Sequence, residues 1–343
     1  MKAAVLREFG APEVLRLEDL PIPEVKPGHV LIKILAAGTN RLEDYLRAGS
    51  VVQLTFPHVL GSDAAGEVAA VGKGVTGFKP GERVIPMPGY PLEAADRGFA
   101  PMSAAPSYAI GGIVEWGTYA QYIQVPAHWV VRDTSGLDPE QAATLPMVLV
   151  TGMRAVKTVG GVKQGDHVLI HAGASGTGSM NIQIAKALGA AVATTVDSDE
   201  KGEFARSLGA DLVIDARHRD FVALTRDWTK GRGVDVAIDN LGGPILQRSL
   251  EALRPLGVCV AMGFVAGVEA TFHVRNFFFA HKQIRGTLMG DVEDMVSGLD
   301  LVRQGRIRPQ LDRTLPLAQA AEAHRLLSSN AVRGNVVMLP WAA

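Results

Sequence analysis

One cysteine in 343 residues, Cys259, excludes an intramolecular disulfide framework and any cysteine-rich metal site. A surplus of charge is missing as well. The formal net charge is -1, which gives no general attraction to nucleic acid or to an anionic membrane. No apolar run approaches the ~18 residues of a membrane span, so no membrane partner is expected. The first residues, Met1-Lys-Ala-Ala-Val-Leu-Arg-Glu8, carry charges where a signal peptide has its apolar core. Low-complexity segments and clear internal repeats are also lacking. These absences point to a soluble, cytoplasmic globular protein. What is present agrees: hydrophobic residues make up 47% of the chain, enough for a sizeable core. The length suits two domains at the usual ~150 residues each.

The most informative stretch runs from Val168 to Lys186. Val168 to Ile170 is a short aliphatic run that predicts a buried strand. Gly173, Gly176 and Gly178 then mark a tight turn, and Ile182, Ile184, Ala185 and Leu188 recur at roughly helical spacing until Gly189. Strand, glycine turn and helix together form the context of a dinucleotide fingerprint. Small residues let the backbone approach a pyrophosphate, and the free N–H groups of a helix start face its charge. In Gly173-Ala-Ser-Gly-Thr-Gly178 a serine, Ser175, takes the middle glycine position.

Around this stretch the chain changes character. Residues 1 to about 125 predict short strands at Lys2 to Leu6, Val30 to Ala36 and Ala64 to Val71, separated by turns such as Pro27-Gly28 and Pro80-Gly81. That pattern suits a compact barrel-like domain. Three segments in it could carry chemistry. Ala36 to Gly49 gathers Asn40, Glu43, Asp44, Tyr45 and Arg47 at a strand end running into a helical turn; a plain solvated helix is the alternative. In Phe56 to Gly66, Asp63 sits among small residues, which suits a buried, hydrogen-bonded carboxyl as well as a site role. Pro86 to Trp116 is long for a loop and predicts a lobe or lid. From 165 to 290 strands alternate with helices: strands at Ala191 to Val196, Leu212 to Ile214, Val234 to Ile238 and Val258 to Met262, helices at Glu200 to Leu208, Phe221 to Trp228 and Leu246 to Leu253. Alternation of this kind means a parallel, doubly wound α/β sheet. The tail predicts helices at Asp294 to Gln304 and Leu317 to Leu327, then a strand at Val336 to Leu339.

These patterns, with Gly61 to Gly66, Gly117-Thr-Tyr-Ala120, Thr151-Gly152 and Asp239-Asn-Leu-Gly242, resemble the medium-chain dehydrogenase/reductase superfamily from end to end. The nearest resemblance is to its zinc-independent quinone oxidoreductase-like branch. The resemblance implies a Rossmann doubly wound parallel sheet over 126–290, and a GroES-like β-barrel catalytic domain from 1–125 and 291–343. Where the zinc alcohol dehydrogenases carry their cysteine, histidine and cysteine ligands, this chain has Asn40, Ser62 and Met147. That is a poor zinc set. The lobe 86–116 stands where that group has a structural-zinc lobe, yet holds no cysteine. His58, His128 and His171 share no ligand-like spacing, so no metal is expected.

Without a Lewis acid, the implied reaction is hydride transfer from a nicotinamide to a quinone or an α,β-unsaturated carbonyl acceptor. The resemblance places Gly173, Ser175, Gly176, Thr177 and Gly178 on the pyrophosphate. It sets Asp197, Lys201 and Arg217 near the adenosine ribose, and Asn240, Gly263, Phe264 and Arg333 elsewhere along the cofactor. Thr151 matches a position near the nicotinamide, and Asn40 and Tyr45 the active-site helix. Plain alternatives stand beside these: Lys201 as helix surface, Phe264 as core, Tyr45 as a ring that only stacks. NADPH is preferred to NADH, since Lys201, Arg217 and Arg219 suit a 2′-phosphate, although Asp197 could repel it and Ala216 replaces a tyrosine common among NADPH-using relatives. A homodimer paired through Gln283 to Met289 is implied too. The competing functions are a zinc-type alcohol dehydrogenase and a non-catalytic nucleotide-binding protein.

Overall fold

The computed structural model describes residues 1–329 and 332–342. It divides into two compact units. Residues 1–150, 290–303 and 309–343 make up the first, and 151–289 with 304–308 the second. The two units part at Val150, and the sequence reading sets the domain boundary at 125.

In the first unit the strand His29–Gly38 is the hub. Its Val30-Leu-Ile-Lys-Ile-Leu-Ala-Ala run is apolar at nearly every position, as a strand covered on both faces requires. It pairs antiparallel with Asp63–Val71, Tyr122–Pro126 and Asn335–Leu339. Seven strands join in this sheet, and a three-stranded sheet centres on Lys2–Leu6. Ala36, Ala65, Ala142, Ala143 and Val337 pack as a small-residue core on the hub. The chain leaves the hub at Gly38 and enters the helix Arg41–Arg47 within three residues. The 86–116 segment is a lobe: a hairpin of Gly89–Pro91 with Tyr108–Ile110, closed by two short 3₁₀ turns. Asp96 Oδ2 accepts from Ser107 N at 2.9 Å and Ser107 Oγ at 2.7 Å, which ties its arms together.

The second unit is built on six parallel strands. Across the sheet they run Leu212–Asp215, Ala191–Val196, His167–Ile170, Val234–Asp239, Leu253–Ala261, Gln283–Gly286. In chain order that is 3-2-1-4-5-6, the doubly wound arrangement with its switch between the first and fourth strands. Leu169, Ala193, Ile214, Ala237 and Cys259 from the strands meet Phe221 and Leu250 from the helices in one buried cluster. One helix differs from the sequence reading, and two features had no reading there. The helix predicted at Leu246 to Leu253 runs Gly243–Ala252, because Pro244 starts it early and Leu253 already belongs to the next strand. A helix at Val274–Phe279 had no sequence signal, since three consecutive phenylalanines show no helical spacing. Thr151 lies on a helix, Pro146–Gly152, that continues as a wider π turn, Met153–Val159.

Candidate functional site

The second unit carries the dinucleotide signature at the C-terminal ends of its strands. The helix Gly176–Ala187 begins with Ser175 as N-cap: Ser175 Oγ accepts from Gly178 N at 3.0 Å and donates to the Ala172 carbonyl at 2.8 Å. The hydroxyl of Ser175 is thus used inside the turn. The first-turn amides of Gly176 and Thr177 have no carbonyl available one turn back, so they remain as donors for an anion. A Cβ on Gly178 would overlap the Ala172 carbonyl oxygen, and one on Gly173 would overlap Thr194 Oγ1. The Ala172 backbone fixes Gly178 here, and the Thr194 side chain fixes Gly173.

Asp197 follows the strand Ala191–Val196 directly. Its Oδ1 lies 2.8 Å from Lys201 Nζ. Arg217 makes a two-pronged pair with Asp215, at 3.0 Å through Nε and 2.8 Å through Nη2. Arg217 and then His218 hold the Asp215 carboxyl well below the usual carboxylate range. Beside them opens a cavity of about 500 Å³ lined by Val196, Ser198, Asp215, His218 and Arg219, among others. The next loop brings Asn240 against Gly263, where any Cβ would overlap the Asn240 carbonyl. Asn240 Oδ1 is buried without a hydrogen-bond partner. Phe264 is 51% exposed, which removes the plain core alternative. The glycine turn, the orphaned amide oxygen and the cations at one strand end all fit a dinucleotide. Thr151 is nearly buried, its hydroxyl 3.7 Å from Met289 Sδ. Arg333 belongs to the first unit, exposed, with its amide on Asp312.

The first unit holds a different constellation. Glu43 is fully buried and accepts three hydrogen bonds: from Asn40 N at 2.7 Å, Ser62 N at 3.1 Å and Ser62 Oγ at 2.7 Å. Asn40 Nδ2 reaches Ser62 Oγ at 3.3 Å. Beside them Asp63 takes Met147 N on Oδ1 at 3.0 Å, while its Oδ2 is buried with no hydrogen bond. Burial pushes Glu43 up to about 7. Burial, reinforced by the charge of Glu43, pushes Asp63 up to about 8. Tyr119 brings a buried, unpartnered hydroxyl to the same neighbourhood, and its acidity is suppressed well beyond normal by burial and then by Glu43 and Asp63. Tyr119 was legible only as part of a motif. Tyr45 sits half-buried on the same helix as Glu43.

This donor set does not suit zinc. The Ser62 hydroxyl is already committed to Glu43, Asn40 offers an amide and Met147 a thioether. Among the described residues no group of three histidine, cysteine or carboxylate side chains could hold a metal ion. Glu43 instead organises Asn40 and Ser62 as a neutral, hydrogen-bonded floor.

Two family models match the chain: an alcohol dehydrogenase GroES-like domain over residues 26–135, and a zinc-binding dehydrogenase domain over 176–304. A 2-haloacrylate reductase from Burkholderia sp is 32% identical, with 99% of both chains covered. A quinone oxidoreductase from Pseudomonas aeruginosa is 30% identical, with 97% of both covered. The solved structure of an NAD-dependent alcohol dehydrogenase superposes with a TM-score of 0.91 at 34% identity, covering 99% of both.

Proposed function

The chain belongs to the medium-chain dehydrogenase/reductase superfamily as a quinone oxidoreductase-like oxidoreductase, and on that premise we propose that it reduces a quinone or an α,β-unsaturated carbonyl compound with a pyridine nucleotide and without zinc. The observation that carries this reading is the Asn40, Ser62 and Met147 set: Glu43 holds Asn40 and Ser62, Asp63 holds the Met147 amide, and none of the three positions offers a thiolate, imidazole or carboxylate. In a simple alcohol or ketone the charge stays on one oxygen, which a Lewis acid stabilises by several kcal/mol. A conjugated acceptor depends on this less: hydride adds to carbon and the charge spreads to oxygen. The reduced nicotinamide supplies that hydride when bound. The chain's part is to hold the acceptor and stabilise the oxygen. Tyr45 is our donor to that oxygen, Asn40 lines the floor, and Thr151 positions the nicotinamide side. The resemblance supports cofactor contact by Arg333 and Phe264. The names of the two relatives, a haloacrylate reductase and a quinone oxidoreductase, support an acceptor of this class.

NADPH is the proposed cofactor, on the strength of Lys201, Arg217, Arg219 and His218 around one strand end. One observation favours NADH instead. Lys201 is already paired with Asp197, and Arg217 with Asp215, so a 2′-phosphate must compete with two carboxylates for its cations. Titrating the purified protein with each nucleotide decides between them. Tighter NADPH binding is expected, and tighter NADH binding overturns the choice. No helix among the described residues is long and apolar enough to cross a membrane, and a cytoplasmic location is proposed from the sequence.

A further inference from the structure

Ala172 opens the glycine turn in a left-handed conformation, with φ of 52°. L side chains rarely adopt it, so surrounding structure must hold it. Ala172 is also the hub of the turn: its carbonyl accepts from Ser175 N at 2.9 Å and Ser175 Oγ at 2.8 Å. Its amide donates to Thr195 Oγ1 at 3.2 Å. From that hydroxyl a buried chain runs across the sheet. Thr195 Oγ1 is 3.0 Å from His171 Nδ1, His171 Nε2 is 2.9 Å from Ser249 Oγ, and Ser249 Oγ is 2.7 Å from Asp239 Oδ2. Asp239 Oδ1 ends the chain by accepting from Leu241 N at 2.9 Å and Gly242 N at 2.8 Å. Those amides belong to the loop that carries Asn240. The His171 ring stands edge-on to Phe221, with centroids 4.9 Å apart.

One proton arrangement satisfies the chain with its strongest bonds. Ser249 has one proton and two acceptors, the Asp239 carboxyl at 2.7 Å and the Ile245 carbonyl at 3.0 Å, and the shorter, charge-assisted bond is the stronger use of it. Ser249 Oγ must then accept, so His171 carries its proton on Nε2. His171 Nδ1 must also accept, and only the Thr195 hydroxyl faces it. The Thr195 oxygen is then free to accept from Ala172 N. Every donor points from the glycine turn towards Asp239.

We infer that Thr195, His171, Ser249 and Asp239 form a one-directional positioning relay that couples the Ala172 turn to the Asn240 loop, so that the two sides of the dinucleotide site are set together. This rests on the dinucleotide reading given above. None of the four residues touches the cofactor in this account; they act through Ala172, Leu241 and Gly242.

The test is a double-mutant cycle read as dissociation constants for NADPH and NADH. Thr195→Val removes the hydroxyl at constant shape, and Ser249→Ala breaks the chain at its far end. Each single variant is expected to weaken binding about tenfold, the effect of one buried group left unpaired. The double variant is expected to bind within about threefold of either single one, because a broken chain cannot be broken twice. Thr195→Ser is expected to restore wild-type binding. Independent, multiplying losses overturn the coupling, and unchanged binding in the single variants overturns the positioning role. A second measurement holds even where a variant fails to fold. Nitrogen chemical shifts of His171 in the wild-type protein are expected to show the neutral Nε2–H form, and the Nδ1–H form overturns the relay. Should the wild-type protein bind neither nucleotide, the dinucleotide reading falls and takes the positioning role with it, while the tautomer still reports on the chain itself.

Discussion

At the scale of single residues, Tyr45 and the buried carboxyls of Glu43 and Asp63 each give an expectation. Hydride addition to an enone leaves charge on oxygen, and a phenol can donate a hydrogen bond to it. Tyr45→Phe keeps the ring and removes that donor. Turnover of an enone is expected to fall about 10²-fold, with cofactor affinity little changed. A loss of threefold or less means that the ring only stacks. Glu43 and Asp63 give a second expectation. Burial raises both, to about 7 and about 8, so the folded state holds their protons more tightly than the unfolded chain does. Stability from these groups is therefore complete below their unfolded values, near 4, and is lost as pH rises towards 8. The buried histidines His171 and His324 are pushed down to about 4, mainly by burial, and work in the opposite sense. They finish titrating near their ordinary 6.5. Between about pH 6.5 and 8 the decline belongs to the carboxyls. Melting temperatures are expected to fall across that window, and Asp63→Asn is expected to flatten the fall. A wild-type melting temperature that rises there contradicts the burial of both groups.

At the scale of elements, the strand Gln283–Gly286 is the exposed one. All four of its residues are open, and among the described strands it pairs on one side only, with Leu253–Ala261. Phe264, Val265, Phe278, Phe279 and Leu288 are exposed in the neighbouring chain segments. An open parallel edge with apolar neighbours invites pairing with a second copy, and a two-fold is the commonest closure. The protein is expected to scatter light at micromolar concentration as a particle of twice 36.4 kDa. A mass of one chain contradicts the dimer. Elements were also what the sequence made plainest. Val168 to Ile170 is buried on both faces, so its apolar character is unbroken, and the glycines after it mark its turn; in Val234 to Ile238 only Asp235 interrupts the run, and it is paired with Arg232 and Arg254. The site was legible where one local segment carries it, as from Gly173 to Gly178. It was not legible where distant segments combine. The relay through His171 joins side chains 24 and 78 residues away, and no spacing rule reaches so far. Glu43 was visible beside Asn40, but its hold on Ser62 depends on two strands meeting, 19 residues apart.

At the scale of the whole molecule, the chain superposes on an alcohol dehydrogenase. The fold is shared, with a TM-score of 0.91, so architecture alone does not decide the reaction. The donor set does. Asn40 and Ser62 stand buried and hydrogen-bonded around Glu43, with Met147 held through its amide by Asp63, and in the proposed reaction this set meets an acceptor that needs no metal to take hydride. The most direct measurement is steady-state turnover by protein stripped with a chelator and checked for metal, offered NADPH with a quinone and, separately, with an α,β-unsaturated aldehyde. The account expects the stripped protein to reduce at least one of the two acceptors at the rate of untreated protein, with no gain from added zinc. Loss of activity on stripping, recovered at near one zinc per chain and joined by oxidation of simple alcohols, contradicts it.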